Sequence, residues 1–250
     1  MWSRSDLKER AKINVHESYW GLVLCSLVLG LAIGGSSGGS SGGNRSSGVG
    51  DLAKADPALA ITILVGILVI GLFAMAISFA FSAFVGGPLE VGCRRYFMNA
   101  ACAPQTTNDL NIIGLCFKGG IYMNVVKVMF IRKLKIFLWS LLFIIPGIIK
   151  SYEYRMVPYL LAENPMMTSE EAHELSSKMM DGEKMNAWIL DLSFIGWYLL
   201  TIFTCGLLAI FYVSPYTSMT NAHLFYALKE IKRPFGSNGS YVESVPFQEM

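Results

Sequence analysis

Between Pro57 and Pro88 the chain carries no charged residue, and no polar face recurs there at helical spacing. About 28 apolar residues of helix rise roughly 40 Å, more than the ~30 Å hydrocarbon thickness of a bilayer. The stretch predicts a membrane helix that bends or stops at Gly86-Gly87-Pro88, where proline removes a donor.

The same reading extends along the chain. Ser3 to Asp6 has the form of a capping box, so a helix is expected from Arg4. Leu7, Ala11, Val15 and Leu22 fall near one side and Lys8 and Lys12 on another, the pattern of a basic amphipathic interfacial helix. It leads into the apolar run Tyr19–Ile33, read as a retained first membrane segment rather than a cleaved signal, because no A-x-A-like site closes it. From Gly120 the pattern is striped, then apolar through Ile136–Ile145, with a break at Pro146-Gly147 and a resumed helix over Ile148–Leu161. Thr168 and Glu171 form a capping box ahead of a surface helix that Gly182 should close. Leu192–Leu228 is uncharged and too long for one crossing, so a turn at Thr204-Cys205-Gly206 should split it, with a kink at Pro215. Pro88 and Pro215 form a faint internal echo, two kinked spans in comparable places.

These elements predict an all-α, polytopic transmembrane helix bundle of six membrane segments, with four crossings as the alternative if 136–161 is one kinked segment. One integral membrane domain is expected over 1–233, with a flexible glycine/serine loop at 34–57, a cytoplasmic loop bearing the surface helix at 163–186, and a disordered tail at 234–250. Composition agrees: 53% hydrophobic, 15% charged, mean hydropathy +0.47. Lysine and arginine cluster in the N-terminal segment, over Arg94–Lys135, in Lys178–Lys184 and in Lys229–Arg233, which places both termini in the cytoplasm. A net charge of +2 gives no reason to expect nucleic acid. Five scattered cysteines without a C-x-x-C pair argue against a disulfide framework.

Charges inside the apolar segments are the candidates for chemistry. Asp191 lies between Leu190 and Leu192, where an unpaired carboxylate in lipid would cost several kcal/mol. Lys150 and Glu153 are one helical turn apart and can pair. Arg155 points elsewhere and needs a partner, for which Asp191 is the obvious choice. Lys150, Glu153, Arg155 and Asp191 thus form a candidate intramembrane cluster, either a self-satisfied network or a substrate or ion site. Lys127, Arg132 and Lys135, with Asn124, make a stripe suited to anionic lipid headgroups or to plain anchoring, with Lys133 off the stripe. His16, His173 and His223 show no metal-ligand spacing, and no phosphate or dinucleotide loop occurs, so no cofactor is expected.

Several motifs together resemble an uncharacterised family of bacterial, mostly Gram-positive, integral membrane proteins, catalogued as a domain of unknown function. They are the opening Met1–Lys8, the glycine/serine loop, Ile145–Ile148 (IPGI), Tyr159–Pro165 (YLLAENP), Met179–Lys184 (MMDGEK), Leu190–Tyr198 (LDLSFIGWY) and Ser214-Pro215-Tyr216. The resemblance implies a multi-pass protein of a bacterial plasma membrane and no particular activity. The Ile-Pro-Gly element with the Asn-Pro that follows is also similar, more weakly, to membrane domains that accompany some glycerophosphodiesterases. The expected function is that of a non-enzymatic envelope protein working through the bilayer, anionic headgroups or a membrane protein partner. A small-solute or lipid transporter built around Asp191 and Arg155 is the alternative.

Overall fold

The computed structural model describes residues 3–17, 19–34, 57–102, 111–117, 119–204 and 206–232, which form helices joined by short turns, with no strand among them. The expected glycine/serine loop and C-terminal tail lie outside the described residues. Helix α1 (Arg4–Glu17) is followed by α2 (Tyr19–Gly34), α3 (Pro57–Phe81) and α4 (Gly87–Cys102). After the short α5 (Asn111–Gly114) come α6 (Gly119–Leu142), α7 (Ile144–Glu153) and α8 (Val157–Glu163). Then follow α9 (Ser169–Met180), α10 (Lys184–Leu192), α11 (Ile195–Phe203) and α12 (Ser214–Lys232).

The core lies where α1, α2, α4, α8, α9, α12 and the first half of α6 meet, around Tyr96, Phe97, Met129, Tyr159, Leu224 and Phe225. Leu7, Ala11 and Val15 are buried in this cluster and α1 packs along α12, so its apolar face meets protein rather than an interface. Helix α3 is the opposite case. It leaves the core beside the far half of α6, where Phe79 meets Phe130 and Phe137, and its own apolar side chains stay exposed all round. An 18-residue stretch of the helix that begins at Ile61 has mean hydropathy 2.7 with none of it buried. It is the one helix among the described residues long and apolar enough to cross a membrane.

Two expected breaks fall elsewhere. The helix does not stop at Gly86-Gly87-Pro88: it continues into α4 through a π turn at Ser82–Gly86. Pro88 sits at the second position of α4 and supplies no N–H; the Phe84 carbonyl behind it accepts from the Tyr122 hydroxyl at 2.9 Å. Another π turn, Ala209–Val213, precedes Ser214-Pro215, so the echo between Pro88 and Pro215 has a counterpart in the backbone. The second displaced break is at Phe143, not Pro146-Gly147. Phe143 is extended (φ −154°, ψ 139°), and Pro146 lies in the first turn of α7, where a missing donor costs little.

At Phe143 the chain reverses, and α6 and α7 form an antiparallel hairpin. Arg132 Nε donates to the Tyr154 carbonyl (2.9 Å), and the Lys150 ammonium lies 5.8 Å from the Trp139 ring centre. Near the tip the arms touch at Ser140 and Gly147, where a β-carbon on Gly147 would stand 2.7 Å from the Ser140 Cα. A second reversal comes at Thr204–Gly206, where Gly206 takes the left-handed conformation (φ 83°) that favours glycine. There Phe194 pairs with Tyr216, and Trp197 with Tyr212.

Candidate functional site

Three polar clusters are held inside this apolar frame. The first joins the α7–α8 turn, α10 and α12. Arg155 donates from Nη1 to Asp191 Oδ2 (2.7 Å) and from Nη2 to Asp191 Oδ1 (2.8 Å), a bidentate fork. Nη2 also donates to Asn221 Oδ1 (2.8 Å), and the Tyr152 hydroxyl donates to Asp191 Oδ2 (2.8 Å). The carboxylate thus accepts three hydrogen bonds although its side chain is 39% exposed, against 18% for Arg155. The pairing suggested by the helical positions of Arg155 and Asp191 is the one the structure contains.

The second cluster centres on Glu153, at the end of α7. Its Oε1 accepts from Lys150 Nζ (2.8 Å) and Ser177 Oγ (3.1 Å), and its Oε2 from Lys184 Nζ (2.9 Å). Ser176 Oγ donates to the Glu153 carbonyl (2.7 Å), tying α9 to the same turn. The four charges grouped from sequence are thus two networks back to back, each completed by residues from other helices: Tyr152 and Asn221 in one, Lys184 and Ser177 in the other. Between α9 and the base of the α6–α7 hairpin lies a cleft of about 450 Å³ lined by Lys135, Glu153, Tyr154 and His173. His173 Nδ1 is 2.6 Å from the Ser169 carbonyl, while its Nε2 is buried with no hydrogen-bond partner. Burial holds the imidazole below its ordinary pKa, helped by the cationic Lys135 and Arg132 nearby.

The third cluster was not found from sequence. Glu90 of α4, only 4% exposed, stands 3.5 Å from Arg132 Nη1 and 3.8 Å from Arg94 Nη2. Arg94 also donates to the Tyr159 hydroxyl (3.0 Å), and Tyr159 stacks on Phe225. The signal was available: Glu90 and Arg94 sit four residues apart immediately after the uncharged run, the spacing of a helical ion pair. The stripe of Lys127, Arg132 and Lys135 itself divides. Lys127 is exposed, and Lys135 lies at the base of the hairpin against Tyr154. Arg132 instead turns inward to Glu90 and the Tyr154 carbonyl, because a buried carboxylate and a carbonyl outcompete the surface for its fork. Lys133, off the stripe, reaches the Ser82 carbonyl and hydroxyl (2.7 Å each) at the π turn.

Among the described residues no group of three or more histidine, cysteine, aspartate or glutamate side chains is placed to hold a metal ion. Cys25, Cys93 and Cys116 are buried free thiols and Cys102 is exposed. A family model described as "Protein of unknown function (DUF975)" matches residues 58–232, well over half of the chain. Neither a curated protein nor a solved structure matches.

Proposed function

The chain belongs to the DUF975 family of proteins of unknown function, and from its geometry we propose a polytopic protein of a bacterial plasma membrane that acts through lipid or protein partners without turning over a substrate. One observation carries this reading: the apolar stretch of α3 has mean hydropathy 2.7 and is wholly unburied. A dozen exposed Ile, Leu, Val and Phe side chains on that helix would forgo on the order of 20 kcal/mol of burial if left in water.

Six segments are embedded in this reading: α2, α3, the two arms of the α6–α7 hairpin, and the α10–α11 arm with its returning α12. Successive segments run in opposite directions, which brings both termini to one face, taken as the cytoplasmic one because Arg4, Lys8, Arg10, Lys229 and Lys232 gather there. Lys127 and Lys135 meet anionic headgroups at that face. The three side-chain donors that each of Asp191 and Glu153 already holds support a structural role for the charges over transport through them.

The full chain in bacterial membrane vesicles should resist alkaline carbonate and leave only with detergent. An impermeant maleimide should reach Ser41→Cys from outside and Glu174→Cys only from inside. Recovery as a monodisperse water-soluble monomer without detergent would sink the proposal.

A further inference from the structure

The α6–α7 hairpin has its least polar part at its turn. Residues 136–149 contain no charge, and Leu141 to Ile145, which make the reversal, are each 64–77% exposed. A hairpin that crosses a bilayer turns among headgroups and water, and its turn is polar. Here the order is inverted, with polar groups at the base and hydrocarbon at the tip. The flanking cations fix the level of the base: Lys135 and Lys150 lie 5.7 and 5.6 Å from the same Tyr154 ring, so both arms leave the charged zone together.

Length then decides how far the tip reaches. From Lys135 to Phe143 is eight residues, or about 12 Å of helix, against ~30 Å of hydrocarbon. The tip stops short of the bilayer midplane. Its backbone suits that depth. The Phe143 N–H donates to the Trp139 carbonyl (3.1 Å), the Gly147 N–H to the Phe143 carbonyl (3.2 Å), and Pro146 removes one of the donors a helix start leaves free. The second hairpin is slightly longer and reaches about the midplane, no further. From the Phe194–Tyr216 ring pair to Thr204 is ten residues, about 15 Å, with Asp191 and Lys8 at its base.

We propose that both hairpins insert into the acyl chains of a single leaflet, the one on the side of the chain termini, and that α3, the one described helix long and apolar enough to cross, spans to the opposite face. This rests on the membrane reading above and commits the exposed tips to lipid rather than to a second copy of the chain.

The test uses the full-length chain with Cys205 and the exposed Cys102 replaced by serine, carrying Ser41→Cys, Glu174→Cys or Ile144→Cys. The expected result is Ser41→Cys labelled by impermeant maleimide on intact cells, Glu174→Cys labelled only in inverted vesicles, and Ile144→Cys labelled in neither until detergent is added. Labelling of Ile144→Cys from outside would mean that the arms cross; labelling from inside would mean that the tip lies out of the membrane. Either overturns the single-leaflet assignment while leaving membrane residence intact. Exposure of Ser41→Cys and Glu174→Cys on one face defeats instead the two-sided arrangement it rests on.

A second measurement does not depend on thiols. In proteoliposomes, the extra fluorescence of Ile144→Trp over the parent should be quenched more by lipids brominated near the chain ends than by lipids brominated near the headgroup. The reverse order places the tip at an interface, and no quenching by either places it against protein; both refute the proposal.

Discussion

Glu90→Gln keeps the size and shape of the side chain and removes its charge from a site that is 4% exposed. At an effective dielectric of about 20, unit charges 3.5 Å apart, the Glu90–Arg132 separation, attract by about 5 kcal/mol. Desolvating each ion costs several kcal/mol, so formation of the cluster is close to neutral overall. Deletion is different. It leaves the Arg94 and Arg132 guanidinium groups buried beside each other with no anion, and breaking a buried pair in this way costs about 3–5 kcal/mol. The lower end applies, because the contacts of 3.5 and 3.8 Å are long. Each arginine also keeps another acceptor, the Tyr154 carbonyl for Arg132 and the Tyr159 hydroxyl for Arg94. A loss of about 3 kcal/mol corresponds to a Tm lower by about 6–12 °C for a chain of this size. Thermal unfolding of the detergent-solubilised protein, followed by tryptophan fluorescence, reads this directly. Glu90→Gln combined with Arg132→Gln should cost less than the sum of the two, since the second change removes one stranded cation. A Tm shift under about 2 °C for Glu90→Gln, the weight of an ordinary surface substitution, would refute the account.

The remaining predictions concern the hairpin and α9. Gly147→Ala should lower stability by about 1–3 kcal/mol, because the new methyl must push the arms apart at Ser140. Gly196→Ala, where a β-carbon meets open space, is the control and should leave the melting temperature unchanged or raised; equal losses in the two would show that the arms do not touch. His173, held below its ordinary value of 6.5 by burial and by Lys135 and Arg132, is neutral in the folded state. The unfolded chain takes up its proton first, so stability is full above pH 6.5 and is lost as pH falls from there through the lower folded value. The groups around it are the Tyr154 ring, the Ser169 carbonyl, and Glu170, Glu174 and Lys178 along the cleft. His173→Gln should flatten the acid side of the stability curve, measured by melts at a series of pH values; an unchanged slope would assign it to other groups.

Local signals in this chain are legible, and of the non-local ones only the Arg155–Asp191 pair, two charges left over in apolar segments, is. Thr168 and Glu171 form the expected capping box, and Gly182 takes φ 76° just past the C-cap of α9, because both depend on residues within one turn. The reversal at Thr204–Gly206 was readable for the same reason, since an uncharged run of that length must fold back somewhere and glycine marks the place. Pro146-Gly147 was misread by three residues. Pro146 opens a helix instead of ending one, and what Gly147 supplies is room for Ser140 on the facing arm. At Pro88 the helix is perturbed rather than stopped, because a π turn and the Tyr122 hydroxyl, brought from a helix distant in sequence, accommodate the proline. Likewise the inward turn of Arg132 depends on Glu90, forty-two residues away, and periodicity along one helix carries no trace of that.

The seating of α1 on α12 has a consequence for synthesis. Asn14 faces His223 across 209 residues, and Lys8 reaches the Ser193 carbonyl across 185. Helix α1 thus waits for α12, made some two hundred residues later, before its inner face is covered. Ordering of this part of the bundle waits until α12 has been made, so a nascent chain halted before Ser214 should keep α1 open to protease even when its lipid-embedded parts are in place.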